Sequence, residues 1–225
     1  MMPRAKGTTS DDGSNAGGGA RILGRPVPPL VPARGPVYVM LVGEAPGPRG
    51  ADKSGVPFFG DAAGQHLYAA LRRMGAVTVP PAVDDLPWDG EIFADGDLKP
   101  TALGIALGNA YDRCPTDDGM AFRAPSRREL ASAENIERIA ADIARFSVRG
   151  LRGIVTMGRV ASTTLDLVLK YAPAPTLARR AVVHPSARGL LSMLPNRGAG
   201  TKLSELQVQW KAMCTEALHD AGYPK

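Results

Sequence analysis

The run Val37-Tyr38-Val39-Met40-Leu41-Val42 breaks off at Gly43-Glu44-Ala45-Pro46-Gly47, and this break constrains the fold more than any other feature. An apolar run of this length without alternation predicts a strand buried on both faces, as in a parallel sheet. The proline and glycines that follow forbid its continuation. Further apolar runs occupy Leu103–Asn109, Arg152–Met157 and Val182–Val183, with amphipathic segments between them. A helix is expected from about Ala62 to Met74, with Asp61 as N-cap and Ala63, Leu67, Ala70, Leu71 and Met74 on one face. Another starts at the capping box Ser126/Glu129 and carries the stripe Leu130, Ile136, Ile139, Ile143 and Phe146. A third opens at Gly158-Arg159, and the last carries Leu203, Leu206, Trp210, Met213 and Ala217. Residues 47–60 read as a loop and residues 75–100 as a Pro- and Asp-rich irregular excursion.

This alternation predicts an α/β fold: a three-layer α/β/α sandwich around a central, mostly parallel four-stranded sheet. Such sheets collect ligands beyond the C-terminal ends of their strands. Three strands release polar residues there, at Glu44, at Asn109 and at His184-Pro185-Ser186. One shared cleft is the expectation.

With 225 residues, one domain over 37–225 is expected, preceded by a disordered, basic, Gly/Pro-rich tail over 1–36. The net charge is +5, and the tail's surplus of three leaves only +2 on the body. From Leu167 to Ser204 there is no acid at all, while Lys170, Arg179, Arg180, Arg188, Arg197 and Lys202 fall inside. Such a stretch around the His184 loop would attract a phosphate backbone, unless it is mere basic bias. Two cysteines, Cys114 and Cys214, are too few for a thiolate cage, so neither an iron–sulfur cluster nor any other metal or organic cofactor is expected. The N-terminus lacks the apolar core of a secretion signal, and no segment has the length of a membrane span. A cytoplasmic monomer, nucleoid-associated when bound to DNA, is expected.

Gly43-Glu44-Ala45-Pro46-Gly47, then Gly55-Val56-Pro57-Phe58-Phe59-Gly60-Asp61, then Asn109 ahead of Arg113-Cys114-Pro115, then His184-Pro185-Ser186 follow in this order. The set resembles the uracil-DNA glycosylase superfamily. The first loop is similar to its family 4; Phe59-Gly60-Asp61-Ala62-Ala63-Gly64 and Asn196–Thr201 are more similar to family 5. The likeness runs from about Tyr38 to Met213.

The resemblance implies a monofunctional glycosylase that flips uracil out of DNA and hydrolyses its N-glycosidic bond, leaving an abasic site for base excision repair. Expelling uracil as an anion requires donors at its O2, and the resemblance gives that role to His184 and a backbone N–H near Gly43 or Glu44. Taken alone, His184 could be a turn residue before Pro185. Asn109 would pair with uracil N3–H and O4 and reject cytosine, or else serve strand-end turn geometry. Phe58 would stack the extruded base while Phe59 enters the core; the reverse assignment is equally compatible with the residues alone. Glu44 and Asp61 are rival water-activating carboxylates, and Asp61 is also a natural N-cap. Ser186, Arg188, Arg197 and Lys202 would contact DNA. Leu190–Leu194 would form either a wedge or a short amphipathic helix.

The pattern also departs from its relatives. Family 4 carries four cysteines for a cluster, whereas only Cys114 stands near the corresponding place, so packing around the 75–100 excursion must replace it. Pro48-Arg49-Gly50 stands where family 4 has an acidic run that helps exclude thymine. A rival reading is a slow or non-catalytic relative that binds uracil or abasic DNA tightly.

Overall fold

A computed structural model describes residues 21–174, 176–194 and 200–225. The chain passes through β1 (Ile22–Leu23), β2 (Val39–Gly43), α1 (Ala51–Ser54), α2 (Ala62–Arg73) and β3 (Val77–Thr78). A 3-10 turn at Pro81–Asp85 leads to α3 (Gly90–Asp95), β4 (Thr101–Ala102), β5 (Ile105–Asn109) and β6 (Pro115–Thr116). Then come α4 (Arg127–Leu130), α5 (Ala133–Ser147), β7 (Gly153–Met157), α6 (Arg159–Tyr171), β8 (Ala178–Val182), α7 (Ala187–Leu191) and α8 (Leu203–Asp220).

The central sheet has the order β5-β2-β7-β8, and every neighbouring pair is parallel. The period of two along each strand divides the interior into two cores. Val39 and Leu41, with Ile105, Leu107, Val155 and Met157, enter one core with Leu67, Leu71, Leu206 and Trp210 of α2 and α8. Met40 and Val42, with Ala106 and Ile154, enter the other with Ile139, Ile143, Phe146 and Leu165 of α5 and α6. Helices therefore cover both faces, as the alternation of elements predicts. From β2 the chain goes first to β5 on one side and later to β7 on the other, so the C-terminal end of β2 is the switch point where a crevice opens.

Several expectations need correction. Residues 21–36 do not form a free tail. The outer edge of β5 is bare, and Leu30 covers it, exchanging N–H and C=O bonds with Leu107 at 2.9 and 2.8 Å. Ile22–Leu23 pairs with Pro115–Thr116, Val27 is buried, and Arg149 donates to the carbonyls of Pro32 and Gly35. Closing a sheet edge stabilises this segment although its prolines prevent a regular strand. Residues 1–20 of the expected tail lie outside the described residues. The Ser126/Glu129 capping box exists, but it starts only the one-turn α4; Ser132 caps α5 separately. On α8, Leu203 and Met213 are exposed, and the buried face runs through Leu206, Trp210, Cys214, Ala217 and Leu218.

The excursion at 75–100 is better organised than its composition suggests. β3 and β4 pair antiparallel, and Trp88 and Phe93 close over Phe59. Phe59 stacks on Phe93 at 4.4 Å and meets Tyr68 and Trp88 at 5.2 Å each. The approach is close enough that a Cβ on Gly60 would lie 2.3 Å from the Gly90 Cα. Phe59 is fully buried at the centre of this cluster. Phe59→Ala is expected to cost about 3–5 kcal/mol of unfolding free energy, measured by chemical denaturation; a loss well below 1 kcal/mol would show that the cluster is not structural.

Candidate active site

Beyond the ends of β2, β7 and β8 lies a cleft of about 920 Å³. Its lining includes Glu44, Gly47, Phe58, Asp61, Arg159, His184, Ser186 and Arg188. Asn109 is not among the lining residues; it is buried behind Gly43, its Oδ1 3.0 Å from where a Cβ on Gly43 would be. The same hypothetical Cβ would be 2.4 Å from the Phe58 ring. Only glycine lets strand end, aromatic ring and carboxamide meet.

Phe58 is held in the left-handed region at φ 62°, where a bulky side chain costs roughly 1–3 kcal/mol. The surroundings enforce it. Ser54 Oγ donates to the Phe59 carbonyl at 2.6 Å, Tyr68 Oη donates to Pro57 O at 3.0 Å, and Gly64 leaves room for the Phe58 carbonyl. Consecutive phenylalanines thus separate, Phe59 into the core and Phe58 to the cleft, in the expected assignment.

Asn109 is 3% exposed, and among the described residues neither its Oδ1 nor its Nδ2 has a hydrogen-bond partner. An unsatisfied buried carboxamide is costly. Its backbone is clamped from behind. Arg138 Nη2 donates to the carbonyls of Asn109 and Ala110 at 3.1 and 3.2 Å and to Asn135 Oδ1 at 2.8 Å. Asn135 Nδ2 adds a bond to Ala110 O at 2.9 Å. From the front, Ala110 N–H donates to Gly43 O and Tyr111 N–H to Glu44 O.

His184 Nδ1 accepts the Ser186 N–H at 3.2 Å, so a neutral imidazole carries its proton on Nε2. Burial holds its pKa below the ordinary value of 6.5, which keeps the ring neutral. Trp210 Nε1 donates to Val183 O at 2.8 Å and fixes the strand end ahead of it. Gly189 must be glycine, because a Cβ there would lie 2.0 Å from the His184 carbonyl.

The two carboxylates differ in their ties. Asp61 caps α2 through Oδ1, which accepts Gly64 N–H at 2.6 Å. Burial raises its pKa, while N–H groups of Gly64 and Ala63 partly offset the rise. Its Oδ2 lies beside the Gly47–Gly50 loop, 3.5 Å from where a Cβ on Gly47 would stand. Glu44 is raised by burial alone. Capping therefore leaves Asp61 a second oxygen, and both acids reach the cleft.

The basic residues divide. Arg188 lines the cleft, and Ser186 lines it while capping α7 by accepting Gly189 N–H. Lys202, at the N-cap of α8, is not among the lining residues, and Arg197 lies outside the described residues. Arg179 and Arg180 do not line the cleft and pair with Asp166 and Asp220 along the edge strand β8, acids on elements that a local reading of charge overlooks. Leu190 is buried within α7, so the short-helix alternative holds for it. Arg159 and Phe122 also line the cleft and were missed from sequence. Arg159 follows β7 directly, so the strand-end rule could have found it; Phe122 arrives from a distant loop without any local signal.

Among the described residues no group of three or more His, Cys, Asp or Glu is placed to hold a metal. Nor do the residues fit the iron–sulfur cluster of family 4. Cys114 and Cys214 are buried, free thiols whose pKa values burial pushes up to about 11 and about 12. A cluster ligand needs the opposite tendency, toward thiolate.

Three type-5 uracil-DNA glycosylases share a short stretch with this chain. Those of Mycobacterium bovis and Mycobacterium tuberculosis are each 44% identical over 61 residues, covering 27% of this chain and 22% of theirs. That of Mycobacterium leprae is 43% identical over 61 residues, covering 27% and 26%. The matched stretch thus spans about a quarter or less of these relatives. The model of the uracil DNA glycosylase superfamily matches residues 32–199, three-quarters of the sequence and all of the sheet. The chain belongs to that superfamily.

Proposed function

We propose that this protein is a monofunctional uracil-DNA glycosylase that hydrolyses the N-glycosidic bond of an extruded deoxyuridine and leaves an abasic site in base excision repair. The observation that carries this reading is the partnerless Asn109 carboxamide, buried beside Phe58. Its Oδ1 accepts uracil N3–H and its Nδ2 donates to O4, a pairing that cytosine reverses. Phe58 supports the base plane. His184 Nε2–H and a backbone N–H near Gly43 or Glu44 meet the negative charge that grows on uracil O2 as the bond to C1′ breaks.

The departing base takes the bond's electron pair, and positive charge remains on the deoxyribose. An ionised Glu44 or Asp61 stabilises that charge and accepts a proton from the attacking water, whose oxygen bonds to C1′. Arg188 and Ser186, with Arg197 and Lys202 as further candidates, hold the DNA. The protein acts in this reading as a monomer on DNA in the cytoplasm, without metal or organic cofactor. Among the described residues, no helix is long and apolar enough to cross a membrane.

Incubation of the protein with dU-containing single- and double-stranded DNA tests the reading; no uracil release from either would sink it. His184→Ala is expected to lower the single-turnover rate by about 10²–10³ while leaving DNA affinity nearly unchanged. Asn109→Asp is expected to weaken the preference for uracil over cytosine, measured by competing both substrates in one reaction.

The pH dependence follows from three shifts. The active form needs a neutral His184 and an ionised carboxylate. Burial lowers the first pKa from 6.5 and raises Glu44 above 4.5 and Asp61 above 3.8. Activity should therefore be level near neutrality and fall on acidification along a limb displaced upward from ordinary carboxylates. Glu44→Gln or Asp61→Asn, whichever removes that limb, identifies the group that activates water; an identical limb in both variants would exclude both.

A further inference from the structure

The cleft that α7 lines is also bordered by a hairpin with exposed apolar residues. Thr116 and Phe122 form an antiparallel bridge, and Arg123 N–H donates to Pro115 O at 2.9 Å. Thr116 Oγ1 accepts the N–H groups of Asp118 and Gly119, at 3.2 and 2.8 Å. Asp118 Oδ1 accepts those of Met120 and Ala121, each at 2.8 Å. The tip is therefore set by its own hydrogen bonds. Yet Met120 is 64% exposed and Phe122 42%, although Phe122 lines the same cleft as Phe58 and His184. Ile22, abreast of Thr116 on the other side, is 49% exposed and extends the ledge.

Of the hairpin's acids, Asp117 is paired with Arg123 at 2.5 Å, while Asp118 keeps its charge and is tied into the turn. Just beyond, Arg127 and Arg128 are exposed and have no ion-pair partner among the described residues, and Arg128 borders a separate, smaller cavity. A pre-formed apolar ledge flanked by free guanidinium groups, continuous with a cleft, suits a nucleic-acid strand: bases pack on the apolar side chains and phosphates meet the cations.

We propose that the Pro115–Arg123 hairpin is a second DNA-contacting element, in which Phe122 packs on the nucleobase next to the extruded one while α7 holds the other side. The inference rests on the reading of the cleft as a site for an extruded deoxyuridine. Phe122 and Met120 then replace stacking that the neighbouring base loses when its partner in the stack leaves. Arg127 and Arg128 hold the adjoining phosphates.

The full chain and its Phe122→Ala, Phe122→Trp and Met120→Ala variants would be compared on duplexes carrying a stable tetrahydrofuran abasic site. Anisotropy gives affinity, and 2-aminopurine beside the site reports stacking. Phe122→Ala is expected to weaken binding about tenfold or more, in line with loss of one aromatic stack, and to change the 2-aminopurine signal. Phe122→Trp should restore both, with unchanged melting temperatures. Met120→Ala, at the most exposed position, should weaken binding less and without any effect on folding. Wild-type affinity and probe signal in both alanine variants would overturn the hairpin's role while uracil release by the wild type stands. Failure of the wild type to release uracil would overturn the glycosylase reading itself, and with it this inference.

Discussion

The site depends on a close approach at the end of β2, where residue 43 has no side chain and Phe58 and Asn109 occupy the space one would fill. This contact joins three parts of the chain that are remote in sequence. Gly43 ends the central strand at the switch point, Phe58 comes from the following loop, and Asn109 ends the neighbouring strand. The pairing of Gly43 with Asn109 in register makes the meeting a consequence of the ladder, not of loop flexibility.

Support for this geometry is apolar on one side and polar on the other. Phe59, Trp88, Phe93 and Tyr68 hold the Phe58 loop, so the excursion that interrupts the α/β pattern is a brace for the active-site wall. Arg138 and Asn135 hold the Asn109 strand end through backbone carbonyls. Burial depresses the pKa of Arg138, a sign of how much solvation is given up to keep a guanidinium there. A buried donor on three acceptors fixes direction more firmly than an apolar side chain could, because each bond is directional and its loss removes a partner from the Asn109 carbonyl.

Strands β2, β5 and β7 and the helices α2, α5, α6 and α8 were legible in the sequence because buried strands read as apolar runs and helices as stripes; of the edge strand β8 (Ala178–Val182) only Val182 was, because Arg179, Arg180 and Ala181 are exposed and break the run. Asp61 as N-cap was legible for the same local reasons, whereas the residues alone left open which of Phe58 and Phe59 is buried, and only the resemblance pointed to Phe58. Residues 21–36 were not, since an edge closed by single bridges leaves no period in a Pro-rich segment. The pairs Arg179–Asp166 and Arg180–Asp220 were hidden because their acids lie on other elements. That same distance hid Phe122: a hairpin's place on the rim of a cleft is set by tertiary packing, and nothing in its own residues records it.

The chemistry proposed rests on the electrostatics of the cleft. The cleft sets a neutral imidazole, pinned in one tautomer by Ser186 N–H, against carboxylates whose burial makes their charge costly and therefore effective nearby. A protonated histidine would be a stronger donor, but burial disfavours it and the Ser186 bond needs an unprotonated Nδ1. In the proposed reaction a neutral donor would give up little interaction with the resting base and gain as negative charge builds on the oxygen it faces. That difference between ground and transition states is what would accelerate bond cleavage. The same burial that costs Glu44 its solvation would let an ionised carboxylate act on the sugar's positive charge.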